Sequence, residues 1–363
     1  MLRMSDIAER AGVSQSTVSF VLNGRDTAVR ISDKTRQKVL AAADELGYRQ
    51  NHLARAMRTG NSQMLGFVGG DLCDEHVGRM LDGALQEAEA HGFTLKILPH
   101  QEGNDGWATI RRSSELRLMG VAALHLPLDL ARDLHKEALH CNTPMVLLDT
   151  PVPLEGVPQV ATDDASGVRV GVRHLLELGH RRFALVSSDL TSVLAPLRES
   201  AFRGALLEAG LPLDEANLVR GNFSERHLNV LAARALLDRP APKRPTAIFC
   251  LGDAIAAAVL QVANELGLRV PADVSVLGYG DLNIAALCSP PLTTLRQPFR
   301  SMGRLAVRHL LDQMQMPRSG EETPSNEGPL ATVEGRLALQ NSGQLPVELV
   351  VRASCAPPTL GTL

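Results

Sequence analysis

Aromatic side chains are nearly missing from this chain: one Trp, two Tyr and eight Phe among 363 residues. Its cores must therefore be built mainly from Ala, Val and Leu. No apolar run approaches the roughly 18 residues that a membrane span needs. The N-terminus is polar, and no export signal is expected. Five cysteines, Cys73, Cys141, Cys250, Cys288 and Cys355, are scattered without a CxxC spacing. That pattern excludes a disulfide scaffold and zinc fingers, and it predicts reduced thiols in the cytoplasm. The motifs GxxxxGK[ST], GxGxxG, HExxH and GxSxG are absent, which argues against an enzyme. His174 and His180 stand six apart and cannot share a helix face as paired ligands, so neither metal nor cofactor is expected. What is present is ordinary for a folded protein: 44% apolar and 21% charged residues, in a length that suggests two or three units.

The net charge of −3 conceals a split. Residues 1–60 carry ten basic and six acidic side chains, a balance of +4, and the remaining 27 basic and 34 acidic ones give −7. A small basic module on an acidic body points to a polyanion partner for the module alone. Within it, Asp6–Ala11 is a short helical pattern ended by Gly12, suited to the left-handed conformation after a helix. Ser14 is a good N-cap for a second helix through Leu22, with Val18, Val21 and Leu22 on one face. Asn23-Gly24 reads as a turn. Ser32 caps a third helix in which Thr35, Val39, Ala42, Ala43 and Leu46 recur at helical spacing before Gly47. Three short helices with a glycine turn between the first two describe a helix-turn-helix. The outer face of the second helix offers Gln15 and Ser16 for base edges in a major groove. Ser14, Thr17, Ser19 and Asn23 are short polar groups suited to phosphate oxygens.

The run Asp6-Ile7-Ala8, Ala11 to Asn23, and then Ile31-Ser32, Thr35-Arg36, Val39, Ala42-Ala43 and Leu46-Gly47-Tyr48, resembles the headpiece of lac repressor (LacI-type) transcription regulators. The resemblance implies that Gln15, Ser16 and Phe20 face bases, with Phe20 making apolar contact. Arg3 stands where the family usually has a Thr that caps the first helix. Residues 51–60 alone are a polar helix too short to be stable in water. They resemble the family's hinge helix, which orders when paired with its dimer mate over the minor groove. Arg55 is then a phosphate contact. Met57 replaces the usual Leu as the apolar wedge that kinks the duplex.

From Met64 onward, apolar runs of four to seven residues alternate with amphipathic helical stretches. Strands are predicted at 65–68, 95–98, 121–126, 145–148, 183–186, 247–250 and 274–277, with a last strand at 347–351. Helices are predicted at 78–91, 167–178, 200–209, 254–266 and 301–314. This alternation predicts α/β architecture with parallel sheets in two lobes, and a ligand cleft at the strand C-termini. His174-Leu175, Leu178-Gly179-His180-Arg181-Arg182, Arg198, Phe202-Arg203-Gly204-Ala205-Leu206, Pro271–Val276 and Pro290–Pro298 resemble the same family's sensor domain, which has the fold of periplasmic sugar-binding proteins.

The resemblance carries effector contacts onto particular positions. Arg198 aligns with the family's sugar-clamping arginine, whose planar fork holds two hydroxyls or a carboxylate. Asp71, His125, Asp149, Phe223, Asp253 and Gln297 fall at further candidate positions. Gly252 stands where the family commonly has a hydroxyl-binding Asn, and Gly280 where it commonly has a sugar-binding Asp. Two lost side chains predict open space and an effector unlike a simple pyranose, bulkier or charged.

The expected whole is an all-α helix-turn-helix headpiece (1–48), a hinge (49–61) and a two-lobed effector-binding and dimerisation domain (62–363). The N-lobe is expected at about 62–160 plus 292–316, and the C-lobe at about 161–291 plus 345–357. Residues 317–344, rich in Pro, Gly and Ser, read as a surface insertion. The function implied is a cytoplasmic, sequence-specific DNA-binding repressor: a homodimer on a palindromic operator, controlled by a small-molecule effector, with no membrane. A stand-alone solute-binding protein would have no use for the basic headpiece.

Overall fold

A computed structural model describes residues 3–22, 31–48, 62–69, 72–100, 106–150, 153–188, 194–314 and 344–359. The chain divides into two units, Met1–Ser62 and Gln63–Leu363. In the first, helices α1 (Met4–Ala11), α2 (Gln15–Leu22) and α3 (Asp33–Glu45) enclose Ile7, Val18, Val21 and Val39. The side chain of Arg3 offers no acceptor, so half of the capping arrangement is lost. The other half survives, because the Arg3 backbone N–H donates to the Asp6 carboxylate at 2.8 Å. Gly12 ends α1 at φ 65, and the Val13 N–H closes the turn on the Ala8 carbonyl at 3.0 Å. Ser14 and Ser32 both cap as predicted, each accepting from the N–H three residues on, Thr17 at 3.1 Å and Thr35 at 3.3 Å.

The second unit holds two six-stranded sheets. The N-lobe sheet contains β1 (Met64–Val68), β2 (Thr94–Leu98), β3 (Gly120–Leu124), β4 (Met145–Leu148), β5 (Gln159–Thr162) and β11 (Gln344–Leu345), in the order β11-β5-β4-β3-β1-β2. The C-lobe sheet contains β6 (Phe183–Ser187), β7 (Leu218–Arg220), β8 (Ala247–Cys250), β9 (Ser275–Gly280), β10 (Thr293–Arg296) and β12 (Glu348–Val350), ordered β12-β10-β9-β8-β6-β7. Every pair is parallel except β10 with β12. Strands such as Gly120–Leu124 are buried throughout, as sheets covered on both faces require.

In the N-lobe, α4 (Glu75–Ala90) and α12 (Phe299–Gln313) cover one face of the sheet, while α5 (Gly106–Glu115) and α6 (Leu128–His140) supply core residues on the other. α4 and α12 cross at Gly83 and Gly303, where a Cβ would land on the carbonyl oxygens of Arg300 and Met80. The C-lobe is covered by α7 (Asp164–Glu177) and α8 (Ala195–Glu208) on one side. On the other lie α9 (Arg226–Leu237), α10 (Asp253–Glu265) and the short α11 (Asn283–Leu287). Most helices begin a few residues before the apolar periodicity does; α7, for instance, is capped by Asp163, which accepts from the Ser166 N–H at 2.9 Å.

Two boundaries differ from expectation. Residues 293–296 form β10 of the C-lobe rather than part of the N-lobe, because Thr293, Thr294 and Leu295 are buried between β9 and β12. The chain returns to the N-lobe only past Gln297. The single strand expected at 347–351 is two short ones, since Pro346 has no N–H to donate and the chain changes sheets there. The insertion expected at 317–344 lies outside the described residues except for Gln344, which begins β11.

Candidate DNA-binding face and effector site

In the headpiece, burial of Val18 and Val21 fixes which side of α2 faces outward. Ser14, Gln15 and Ser16 are exposed at its N-terminal end, and Thr17, Ser19 and Phe20 are half-buried beside them. Lys34, Arg36 and Lys38 are exposed on α3, and Arg10 pairs with Glu45. Asn23, Arg55 and Met57 lie outside the described residues.

In the sensor unit, each sheet has one point where consecutive connections leave in opposite directions: between β1 and β3 in the N-lobe, and between β6 and β8 in the C-lobe. Ligands of open α/β sheets bind outside the strand C-termini at such points. On the N-lobe side His125 follows β3 and Asp149 follows β4, both in left-handed backbone, at φ 49. These sparsely populated conformations aim both side chains at one place, and His125 Nε2 meets Asp149 Oδ2 at 2.9 Å. Asp149 is 2% exposed. Burial pushes its carboxyl up, but the His125 hydrogen bond and the charges of His125 and Arg198 outweigh it, so the group stays below the usual range. His76, at the start of α4, stacks obliquely on His125 with centroids 5.6 Å apart and on Phe299 at 5.8 Å. Burial and then the neighbouring His125 push its imidazole down to about 4, leaving it neutral. Asp71 lies outside the described residues.

The C-lobe side is built around Arg198 on α8, 4% exposed. Its Nε donates to Asp164 Oδ2 at 2.8 Å and its Nη1 to the Leu251 carbonyl at 3.3 Å. Its guanidinium carbon lies 4.0 Å from the centre of the Tyr279 ring. Burial would discourage the charge, but Asp164 and Tyr279 restore it, and the arginine stays protonated. Tyr279 donates to Asp164 Oδ1 at 2.6 Å, Thr162 donates to the same oxygen at 2.7 Å, and Gln297 donates to Thr162 at 3.1 Å. Arg198 Nη2 is left without a hydrogen bond among the described residues. Ser187 and Ser188, at the end of β6, have buried hydroxyls with no partner there either.

The predicted positions therefore separate into groups. His125 and Asp149 are paired, and Arg198 and Asp149 lie close enough for each to alter the other's ionisation. Gln297 reaches Arg198 only through Thr162 and Asp164. Phe223 is 38% exposed. Its ring fills the space at Gly252, where a Cβ would come within 3.0 Å of it, so the opening expected there is closed by an aromatic face. Gly280 has φ 126, a backbone that side chains rarely adopt, so the absent Asp reflects conformation as well as lost chemistry. Asp253 is fully buried and points inward: Oδ1 accepts from Thr294 at 2.6 Å and Oδ2 from the Leu282 N–H at 2.7 Å. Burial pushes its carboxyl up to about 6, with those two donors pulling the other way. Sequence reasoning missed His76, Asp164 and Tyr279. An acid opening a helical stretch was the one local mark of Asp164, and the flanking pair Gly278 and Gly280 that of Tyr279, and neither points to the partner 115 residues away.

Residues 3–51 match the family model of bacterial regulatory proteins of the lacI family, and residues 172–355 match that of the periplasmic binding protein-like domain. The HTH-type transcriptional regulator DegA of Bacillus subtilis is 32% identical over 359 residues, 97% of each chain. The chain belongs to the lacI family of bacterial regulatory proteins. The HTH-type transcriptional repressor PurR of Vibrio atlanticus is 30% identical over 321 residues, 87% of this regulator and 92% of its own length. Among solved structures, the lac repressor dimer bound to operator and the anti-inducer ONPF aligns with a TM-score of 0.78 at 28% identity, covering 98% of this chain and 99% of that one. Like these relatives, the lacI-family chain is a DNA-binding transcription regulator and not an enzyme. No helix among the described residues is long and apolar enough to cross a membrane.

Proposed function

We propose that this regulator acts in the cytoplasm as a repressor, a homodimer that sets one α2 into the major groove of each half of a palindromic operator. Gln15 and Ser16 read base edges and Phe20 makes apolar contact, while Ser14, Thr17, Ser19 and Asn23 hold phosphates. Arg55 and Met57 belong to the hinge, Arg55 on phosphate and Met57 as the wedge in the minor groove. The observation that carries this reading is the capped helix pair with the exposed polar first turn of α2. The headpiece is taken as residues 1–48, the hinge as 49–61 and the sensor as 62–363.

A small-molecule effector binds between the lobes, with Arg198 on one wall, the His125–Asp149 pair on the other and Phe223 as a flat face; Asp71 is a further effector contact in this reading. Arg198 Nη2 and the Asp149 carboxylate offer a donor and an acceptor, a combination that suits hydroxyl groups. That the lac repressor structure holds both an operator and an anti-inducer supports control of one site by the other. Selecting duplexes from a random pool with the full chain tests the reading. An enriched palindrome is expected, and Gln15→Ala should relax base preference by ~1–3 kcal/mol per contacted position. Arg55→Ala should weaken all sequences alike and reduce the salt slope by about one. Failure to enrich any duplex at low ionic strength, with or without cell extract, would overturn it.

A further inference from the structure

The two lobes share their covalent crossings near residues 163, 298 and 346. A further contact between them is built differently. After β9, Asp281 takes a left-handed conformation at φ 55 and turns the chain toward the N-lobe. The side chain of Leu282 packs against the N-lobe core formed by β1, α4 and α12. The Asn283 N–H points between the two Glu75 oxygens, at 3.0 and 3.1 Å. Arg79, one turn along α4 and paired with Glu75 at 2.5 Å, donates to the Asp281 carbonyl at 2.9 Å and to Asn283 Oδ1 at 3.2 Å. On the C-lobe side two of these residues, Asp281 and Leu282, are held from below. Asp253 accepts the Leu282 N–H, and Thr294 on β10 fixes its other oxygen. Arg352 and Arg296 hold the Asp281 carboxylate at 2.6 and 2.7 Å.

We propose that residues 281–283 are a strap clasping the C-lobe to Glu75 and Arg79 of α4, and that Asp253 is its positioning residue rather than an effector contact. The fixed end of the strap is buried in the C-lobe, where Asp253 is wholly inaccessible and Ala285 sits in the core. The gripping end is made of one apolar side chain and hydrogen bonds whose partners are partly exposed, with Glu75 at 30% and Arg79 at 24%. Such contacts open without unfolding either lobe, as a switching contact must. The strap therefore weighs one lobe arrangement against another, and it rests on the reading that a small-molecule effector binding between the lobes controls the DNA site.

Hydrogen exchange on the full chain, followed by mass spectrometry of the peptide covering 281–287, tests the strap without effector or DNA. Glu75→Ala should speed exchange there at least tenfold and leave 275–280 unchanged. Asp253→Ala should loosen both 281–287 and the first turn of α4, whereas Asp253→Asn, which keeps an acceptor for the Leu282 N–H, should restore most of the protection. Wild-type exchange in Glu75→Ala overturns the clasp. Loss of protection across all of β9 in both Asp253 variants overturns the positioning role, making Asp253 a core residue only. On a duplex enriched from a random pool, Glu75→Ala should shift affinity threefold or more; unchanged affinity with altered exchange would overturn the regulatory role alone. If no duplex is enriched, the DNA reading fails while the exchange result still judges the strap.

Discussion

The two lobes of the sensor repeat one strand order but use it for opposite ends. Asp149 after β4 and Asp281 after β9 occupy equivalent places and share left-handed backbone, at φ 49 and φ 55. In the N-lobe the aspartate meets a histidine and remains at the cleft wall. In the C-lobe it is taken by Arg296 and Arg352 and turned into an anchor. The charge at the C-lobe wall comes instead from a helix, through Arg198 on α8, backed by Asp164 at the start of α7. A scaffold thus fixes where side chains point, while the arginines nearby decide whether an acid is a ligand or a brace.

The comparison breaks most visibly at the buried pair. Asp164→Ala leaves the Arg198 guanidinium uncompensated in the C-lobe interior and should cost ~3–5 kcal/mol in urea unfolding. Asp281→Ala should cost less, ~1–2 kcal/mol, because Arg296 is about half exposed and Arg352 one-fifth exposed, so both can reach water. Equal losses would show that Asp164 is not the more buried brace.

Next in size is helix crossing. Gly303→Ala sets a methyl on the Met80 backbone, which cannot turn aside, and should cost ~3 kcal/mol or more. Gly171→Ala in the C-lobe meets the Phe249 ring at 2.7 Å, and a ring can shift, so ~1–2 kcal/mol is expected. Thermal melts that rank the two in the other order would reject the distinction.

The N-lobe should also be acid-sensitive. An imidazole free in the unfolded chain titrates near ~6.5, and His76 is held down to about 4 by burial. The unfolded state therefore binds more protons between those values, and stability falls as pH drops from about 6.5 to 4. His76 contributes ~2 kcal/mol to that fall, less than the full shift because the ring is partly exposed. His180, pushed to about 4 by burial, adds a loss of the same sign in the C-lobe. His76→Gln should flatten the decline; His180, His174 and His309, all lowered by burial, contribute to what remains, and Asp253, raised to about 6, opposes it. A pH profile unchanged by His76→Gln would refute the assignment.

The smallest effect is expected at Gly252→Ala, where the added methyl meets Phe223 at 3.0 Å. The ring is exposed enough to tilt, so a loss of ~1 kcal/mol, a few degrees in Tm, is expected.

Much of this was readable from one dimension. The caps Ser14 and Ser32, the Gly12 turn and the valine face of α2 are local, since each depends on residues three or four apart. The strands β1, β3, β4, β6, β8 and β9 stood out because parallel strands covered on both faces are mostly apolar runs, while the edge strand β2 is half exposed and showed through Leu95, Ile97 and Leu98. Strand β10 was not predicted, and its residues were put in the N-lobe, because Thr293 and Thr294 look like surface residues until neighbours bury them. His76, Asp164 and Tyr279 were missed for a related reason: nothing near them in the chain announces the partner, which for Asp164 and Tyr279 lies 115 residues away.

By itself, then, the order of residues determined a basic three-helix unit ahead of an α/β body, and which side of α2 is polar, because helix caps, turns and burial periodicity act over a few residues. Only the tertiary structure decided that Asp253 braces a strap, that Phe223 closes the space at Gly252, and that Arg198 is held by Asp164. Those outcomes depend on which distant groups share a volume from which water has been removed, and charge and hydrogen bonding there are settled by whoever is adjacent.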